Sequence, residues 1–191
     1  EVRLNGSTIL NLTSVDTRNG GSVGTINGLY LLSEGMVTVQ SLPATMDDLV
    51  VMNTSGSVNN NFLGDVRVQA RFPTGNGHYA QWSPVAGANY ENIDERPPDE
   101  DATYNSSSTV GHKDTFTHEP ISALATTVHG VAVNMRVRKD DGGTREIRAL
   151  MRHSSTDANG ATKAVGTTYG DLQQIFENVP GGAGWTRAQV N

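Results

Sequence analysis

Residues 46–68 read Met-Asp-Asp-Leu-Val-Val-Met-Asn-Thr-Ser-Gly-Ser-Val-Asn-Asn-Asn-Phe-Leu-Gly-Asp-Val-Arg-Val and divide the chain into two parts. The short apolar run Leu-Val-Val-Met predicts a strand that closes the first part. The segment after it is rich in Asn, Ser, Thr and Gly, which is typical of turns and linkers. Alternation then resumes with Val-Arg-Val. We therefore predict an all-β protein with one domain over residues 1–53, a polar hinge over 54–61 and a second, antiparallel β-domain over 62–191.

The composition is typical of proteins built from thin β-sheet layers, and the net charge disfavours some classes of partner. Hydrophobic residues make up 36% and aromatic residues 6% of the 191 residues, and 21 glycines predict frequent turns between short strands. The formal net charge of −6 disfavours nucleic acid as a partner, because a polyanion binds basic surfaces. No cysteine is present, which excludes disulfides, thiolate metal sites and a cysteine nucleophile. No apolar run approaches the roughly 20 residues of a membrane-spanning helix, so we expect no membrane partner.

The first residues predict a β-hairpin around an Asn-Gly turn. A three-residue turn, with glycine in the left-handed conformation, would pair Leu4 with Thr8. It would also pair Val2 with Leu10 and so place the apolar side chains on one face. A two-residue turn would put Leu10 on the face opposite Val2, so the three-residue turn is favoured. Because the chain begins inside this strand pattern and without Met, we expect it to be part of a longer polypeptide.

The second part opens with mixed strand and turn signals. Residues 63–72 alternate and predict a strand that Pro73 interrupts. The sequence Gly-Asn-Gly at 75–77 predicts a turn. Residues 112–118 predict a further short strand.

The clearest alternation of apolar and polar residues covers residues 131–137 and continues, after a polar turn, at 144–152. It predicts a two-stranded antiparallel ribbon with arginines on its exposed face. Residues 172–179 are ambiguous. The spacing of their apolar residues fits a helix, whereas the all-β surroundings favour a strand.

An irregular stretch runs from residue 86 to residue 108. Irregular segments of more than about 15 residues are uncommon inside compact domains and are often functional or interfacial. This stretch would bury little apolar surface alone, so we predict an arm that becomes ordered against a neighbouring protein. Its aromatic neighbours are the candidate contact residues, namely Tyr79, Trp82, Tyr90 and Tyr104. Such side chains stack on sugars, pack against another subunit or simply anchor loops, and the sequence leaves these roles open.

Acidic and histidine residues raise two metal-binding alternatives. His112, Asp114 and His118 lie in one phase of a strand, as zinc or nickel ligands would. The acidic run at 99–101 offers the oxygen ligands that calcium takes, but without the spacing of a calcium-binding loop. Exposed strand residues explain the first set equally well, and a solvated acidic turn is favoured for the second. No motif for nucleophilic catalysis, phosphate binding or dinucleotide binding is present. We therefore predict no enzyme activity, no catalytic residue, no cofactor and no bound metal.

A series of short motifs runs through both parts of the chain. The first are Met-Asp-Asp-Leu-Val-Val-Met-Asn at 46–53 and Phe-Leu-Gly-Asp-Val-Arg-Val at 62–68. The others are Gln81-Trp-Ser-Pro, Ala88-Asn-Tyr-Glu-Asn-Ile-Asp, Thr103-Tyr-Asn-Ser-Ser-Ser-Thr-Val-Gly, His112-Lys-Asp-Thr-Phe, Val137-Arg-Lys-Asp-Asp and Ala183-Gly-Trp. Together with the hairpin at 1–12, this series resembles the C-terminal region of tailed-phage virion proteins that carry a laminin-G-like, concanavalin-A-type lectin-like domain.

The resemblance implies a fold and a role. Residues 1–53 would be the C-terminal part of a lectin-like jelly roll, and residues 62–191 a second antiparallel β-sandwich. The role would be that of a non-enzymatic structural component on the particle surface, as a decoration or tail-fibre-associated protein made in the bacterial cytoplasm. Expected partners are other virion proteins of the capsid or tail and further copies of this chain. The alternative is a carbohydrate-binding adhesin that recognises host surface polysaccharide.

Overall fold

The computed structural model describes residues 2–4, 7–10, 48, 50, 57–61, 63–64 and 66–191. The chain divides into two units, Glu1–Val68 and Gln69–Asn191. Most of the predicted strand at 46–53 and part of the predicted hinge lie outside the described residues. The predicted domain boundaries therefore stay a prediction.

In the first unit, β1 (Val2–Leu4) and β2 (Ser7–Leu10) form an antiparallel hairpin. Val2 pairs with Leu10, as predicted, but Leu4 pairs with Ser7 and not with Thr8. The prediction of a three-residue turn is wrong, because only residues 5 and 6 separate the two strands. The register shifts between Val2 and Arg3, so the extra residue lies within the strand pair instead of the turn.

In the second unit, the described residues form many strands and very little helix, so the protein belongs to the all-β class, as predicted. The strands are β3 (Pro73–Ala80), β4 (Ser83–Pro84), β5 (Asn105–Ser106), β6 (Asp114–His118), β7 (Val131–Val137), β8 (Glu146–Ile147), β9 (Leu150–His153), β10 (Thr156–Asn159), β11 (Lys163–Ala164) and β12 (Gly170–Phe176). A 3₁₀ turn covers Asn89–Asn92, and the short helix α1 covers Arg187–Val190. None of the helices in the described part of the chain has the length and apolar character that a membrane crossing requires.

These strands associate in antiparallel pairs, β3 with β6, β4 with β5, β7 with β12, β8 with β11 and β9 with β10. The predicted ribbon between residues 131–137 and 144–152 is wrong, because β7 pairs along its whole length with β12. Residues 144–152 instead contribute β8 and β9, each of which has its own partner. The ambiguous stretch at 172–179 is a strand as far as Phe176.

The β3–β6 pair also differs from prediction. Residues 66–72 form no strand, and β3 begins at Pro73 and runs through the glycines at which a turn was predicted. These glycines allow the two strands to approach closely, since a Cβ added at Gly77 would lie 2.7 Å from Oγ1 of Thr115 and 2.9 Å from its carbonyl oxygen. The predicted strand at 112–118 is confirmed over Asp114–His118.

The apolar core of the second unit lies against the inner face of the β7–β12 pair. Along β7 the residues alternate between half-buried and exposed, as the sequence pattern predicts. The buried core residues are Ala149, Phe176, Val179 and Trp185, and Val131, Val133 and Met135 of β7 pack against them. The indole Nε1 of Trp185 donates a buried hydrogen bond of 2.8 Å to the carbonyl of Phe176. This bond satisfies the polar edge of the indole and ties the end of the chain to β12.

Candidate functional site

A polar cluster forms around the carboxylate of Asp114, at the start of β6. Its Oδ1 accepts hydrogen bonds from the backbone N–H groups of Gln81 at 2.7 Å and Trp82 at 2.9 Å. Its Oδ2 accepts a bond of 2.7 Å from the side-chain amide of Asn89. Asn105 in turn donates to the carbonyl of Asn89 at 2.8 Å. We call these five residues the Asp114 hub.

A second buried amide fixes the loop next to the hub. Asn92 is 2% exposed, and its side-chain nitrogen donates to the carbonyls of Ala86 at 2.6 Å and Ala88 at 2.8 Å. Its Oδ1 accepts a bond of 3.3 Å from the N–H of Ala86. The beginning of the predicted arm is therefore attached to its own unit by satisfied, buried polar groups. The prediction that the whole stretch orders only against a neighbour is wrong for this part.

The structure places the four candidate aromatic residues in different environments. The hydroxyl of Tyr79 donates to Oδ2 of Asp157 at 2.9 Å, and Nε1 of Trp82 donates to the carbonyl of His112 at 3.2 Å. The Tyr90 hydroxyl donates to the neighbouring Glu91 at 3.2 Å. Tyr104 is 38% exposed and is the most exposed of the four. Tyr79 and Trp82 thus anchor strands and loops of their own unit, and Tyr104 is the aromatic residue best placed for a contact with another molecule.

The carboxylate of Asp157 on β10 is the centre of a charged cluster that the sequence did not indicate. It binds Arg152, which lies directly opposite it on β9, and the Nζ atom of Lys113 at 3.1 Å. Tyr79 adds its hydroxyl, and Nζ of Lys113 lies 4.9 Å from the centre of the Tyr79 ring. The Arg152 guanidinium, helped by Lys113 and Tyr79, lowers the pKa of Asp157 to about 2. These contacts link the β3–β6 pair to the β9–β10 pair.

An open polar groove of about 450 Å³ lies at the end of the β7–β12 pair. We call it the arginine groove, and its lining residues are Arg136, Arg138, Thr167, Thr168, Tyr169, Glu100 and Asp101. Arg136 binds Glu100 and also Asp171, its cross-strand partner, at 3.1 Å. Arg138 binds Oδ1 of Asp101 at 2.8 Å through its terminal nitrogen and at 3.1 Å through Nε.

The electrostatics of the groove follow from these pairs. The Arg138 guanidinium, together with the hydroxyl of Tyr169 at 2.9 Å, holds the pKa of Asp101 below its usual range. Partial burial raises the pKa of Tyr169, so its hydroxyl stays protonated and donates. Two guanidinium groups beside an aromatic ring make a receptor for carboxylates, and here Glu100 and Asp101 of the same chain fill it.

The two metal-binding alternatives are not assembled in the structure. Within the described part of the chain, no group of three or more acidic or histidine side chains is arranged to hold an ion. Asp114 is engaged in the hub, and Nδ1 of His112 lies 3.0 Å from Oγ of Ser107. The acidic run is divided among separate partners, because Asp99 accepts from Thr103 while the next two carboxylates bind arginines.

The chain was compared with known protein families, curated proteins and solved structures, and none of them matches. The geometry defines an all-β protein in which the Asp114 hub and the Asp157 cluster hold strands and loops of the second unit together.

Proposed function

We propose that this chain is a non-enzymatic structural component of a tailed-phage virion that acts through protein–protein assembly contacts on the particle surface. The fold we propose with it is the C-terminal part of a lectin-like jelly roll followed by a second antiparallel β-sandwich. The motif series along the chain is the basis of this proposal, and the positions of the motif residues in the structure support it.

The supporting observation is the Asp114 hub. Its members come from four of the motifs, those that begin at Gln81, Ala88, Thr103 and His112. A fifth motif ends at Trp185, which is 5% exposed in the apolar core. The residues that carry the resemblance therefore maintain the shape of the unit. Residues used in this way suit a protein whose role is to present a fixed surface to its neighbours.

The charged residues favour a structural role over a hydrolytic one. Glu100, Asp101 and Asp157 each bind an arginine. The paired arginines lower the pKa of Asp101 and of Asp157, so these two carboxyl groups are poor proton donors near neutral pH. A glycosidase needs one carboxyl with a raised pKa beside a second carboxylate, and these pairs do not provide that arrangement.

The proposal is tested on intact particles of the phage whose genome encodes the chain. Antibodies raised against the recombinant chain are used for immunogold labelling, and quantitative mass spectrometry of purified particles gives the copy number. We expect several copies per particle and label on the outer surface. A chain that is abundant in the infected cell but lost from particles during purification would contradict the proposal.

The alternative, an adhesin for host polysaccharide, is favoured by one observation, the exposed ring of Tyr104 beside the polar strand Asn105–Ser106. A glycan array with the recombinant chain tests it, and Tyr104→Ala is the informative variant. Trp82 is a poorer choice because its indole nitrogen is bonded within the unit. Leu124→Ala is the matched control, since Leu124 is 89% exposed and apolar. Glycan binding that Tyr104→Ala abolishes and Leu124→Ala preserves would establish the adhesin.

A further inference from the structure

The acidic run of the second unit is attached differently from the rest of its loop. On one side Asn92 is buried, and on the other Asn105 bonds to the hub. Between them Arg96 lies 3.5 Å from the centre of the Phe72 ring and binds Glu119 at 3.3 Å. In the tip beyond it, residues 99–101, Glu100 and Asp101 reach the arginine groove through side-chain ion pairs, while Asp99 accepts a hydrogen bond from Thr103. The loop thus forms a short arm whose base is fixed by polar contacts within the unit and whose tip is held by ion pairs.

The contacts of the tip are exposed. The side chains of Glu100 and Asp101 are 43% and 66% exposed, and those of Arg136 and Arg138 are 31% and 35% exposed. Ion pairs in such positions stabilise a contact only slightly and are weakened by salt. Glu100 also has a positive φ of 59°, a conformation that is unfavourable for a residue other than glycine. The closed position of the tip is therefore only weakly favoured.

We propose that the acidic tip at residues 99–101 also docks in trans, into the arginine groove of a second copy of this chain. The second copy is the indicated partner because every copy carries both the tip and a groove that already accepts it. Two copies related by a twofold axis would satisfy both grooves with the same carboxylate–guanidinium pairs. The proposal rests on the assembly role proposed above and names the surface through which copies would meet.

Mass action decides where the tip binds. Within one chain the effective concentration of a tethered tip is on the order of millimolar, so a dilute chain keeps its tip in its own groove. Copies held side by side in an assembly exceed that concentration. Exchange is therefore expected at high local concentration and low salt.

Cysteine cross-linking tests the exchange, because the chain has no cysteine of its own. Ala102→Cys lies next to the tip and leaves its carboxylates intact, and Thr168→Cys lies in the groove wall. The two single variants are mixed and treated with a flexible bismaleimide. We expect an interchain product linking positions 102 and 168 that increases steeply toward millimolar protein and disappears in high salt. The double variant, which links within one chain, is the positive control.

Charge reversal provides a second measurement. The variant Glu100→Lys/Asp101→Lys has a basic tip and a basic groove, and the variant Arg136→Glu/Arg138→Glu has an acidic tip and an acidic groove. Because tip and groove repel each other in both variants, each alone should be monomeric. In a mixture, each tip is complementary to the other variant's groove, and light scattering should show a salt-sensitive heterodimer. Arg145→Glu/Arg148→Glu carries the same charge change outside the groove. Its acidic tip can meet the tip variant's groove, but its own arginine groove repels the lysine tip, so this mixture should associate much more weakly than the complementary one.

The decisive measurement is the cross-linking of the cysteine variants, which keep the native charges of tip and groove. If mixed single-cysteine chains at millimolar concentration give no product between positions 102 and 168, the tip binds only in its own chain and the proposal is overturned. These measurements use purified protein in solution, so their outcome is independent of whether the chain is found on particles.

Discussion

The side-chain amide of Asn89 joins two distant parts of the chain by donating 2.7 Å to Oδ2 of Asp114 and 2.8 Å to the carbonyl of Trp82. Asn89 is only 6% exposed, so water does not readily replace these bonds. On the other oxygen of the same carboxylate, two backbone N–H groups are bound. This polar cluster thus holds together a part of the unit that lies outside the main apolar core.

Asn89→Ala should destabilise the second unit by about 1–3 kcal/mol, because it leaves a partly buried carboxylate oxygen and a carbonyl without their donor. Urea unfolding followed by tryptophan fluorescence measures this, since both tryptophans, Trp82 and Trp185, lie in that unit. The control is Asn134→Ala, which removes an exposed amide bonded to Gln173 and should cost less than about 0.5 kcal/mol. Equal losses in the two variants would show that the hub contributes no special stability.

Gly77→Ala should destabilise the β3–β6 pair by about 1–3 kcal/mol, because the added methyl group meets the backbone of Thr115 at 2.8 Å and 2.9 Å. Backbone at that distance cannot move aside as a flexible side chain can. Gly142→Ala is the matched control, since nothing lies within 4 Å of an added Cβ there. The midpoint of thermal unfolding, measured by circular dichroism, should fall for the first variant and stay constant or rise for the second.

The sequence predicted which face of a strand is buried better than it predicted which strand lies beside it. In β7 the period of two identified the inward residues correctly. That period does not identify the strand that pairs with β7. The paired strand, β12, lies far along the chain, after the four strands of two shorter pairs. Likewise, Gly75-Asn76-Gly77 matches a turn signal, yet these glycines are required by close contact with β6, which only the tertiary structure reveals.

The candidate site was harder to predict than the fold class, for a related reason. The sequence predicts only loop positions for Asn89, Asn92 and Asn105, because amide side chains are common in turns. Their role depends on partners far along the chain, such as Asp114. The exposed arginines of β7 were predicted, but their acidic partners at residues 100 and 101 were interpreted as a solvated turn. Charge alone does not say which loop reaches which strand.

The low pKa of Asp157, about 2 against an ordinary 3.8, predicts a specific acid sensitivity. A depressed carboxyl pKa stabilises the folded state above the unfolded-state pKa, and this stabilisation disappears as the pH falls through the folded-state value. The urea midpoint of the wild type should therefore exceed that of Asp157→Asn by a constant amount above about pH 5, and the difference should shrink toward pH 2.

Asp140→Asn is the control for this titration, because it removes an exposed carboxylate in the turn after β7, outside the Asp157 cluster. Its difference from the wild type should be small throughout the same pH range. A wild-type advantage over Asp157→Asn that persists undiminished at pH 2 would mean that the arginine pair is not the source of the stabilisation.

The turn between β9 and β10 fixes the register in which Arg152 faces Asp157, and it contains a residue in an unfavourable conformation. Ser154 has a positive φ of 54° in a two-residue turn, where glycine is preferred. Ser154→Gly should therefore stabilise the unit by about 0.5–1 kcal/mol, because the strain removed exceeds the added entropy of the unfolded chain. Ser155→Gly, one residue along and without a positive φ, should instead destabilise it by a few tenths of a kcal/mol. Opposite signs in urea unfolding of the two variants would identify the backbone conformation at residue 154 as the cause, whereas equal effects would exclude it.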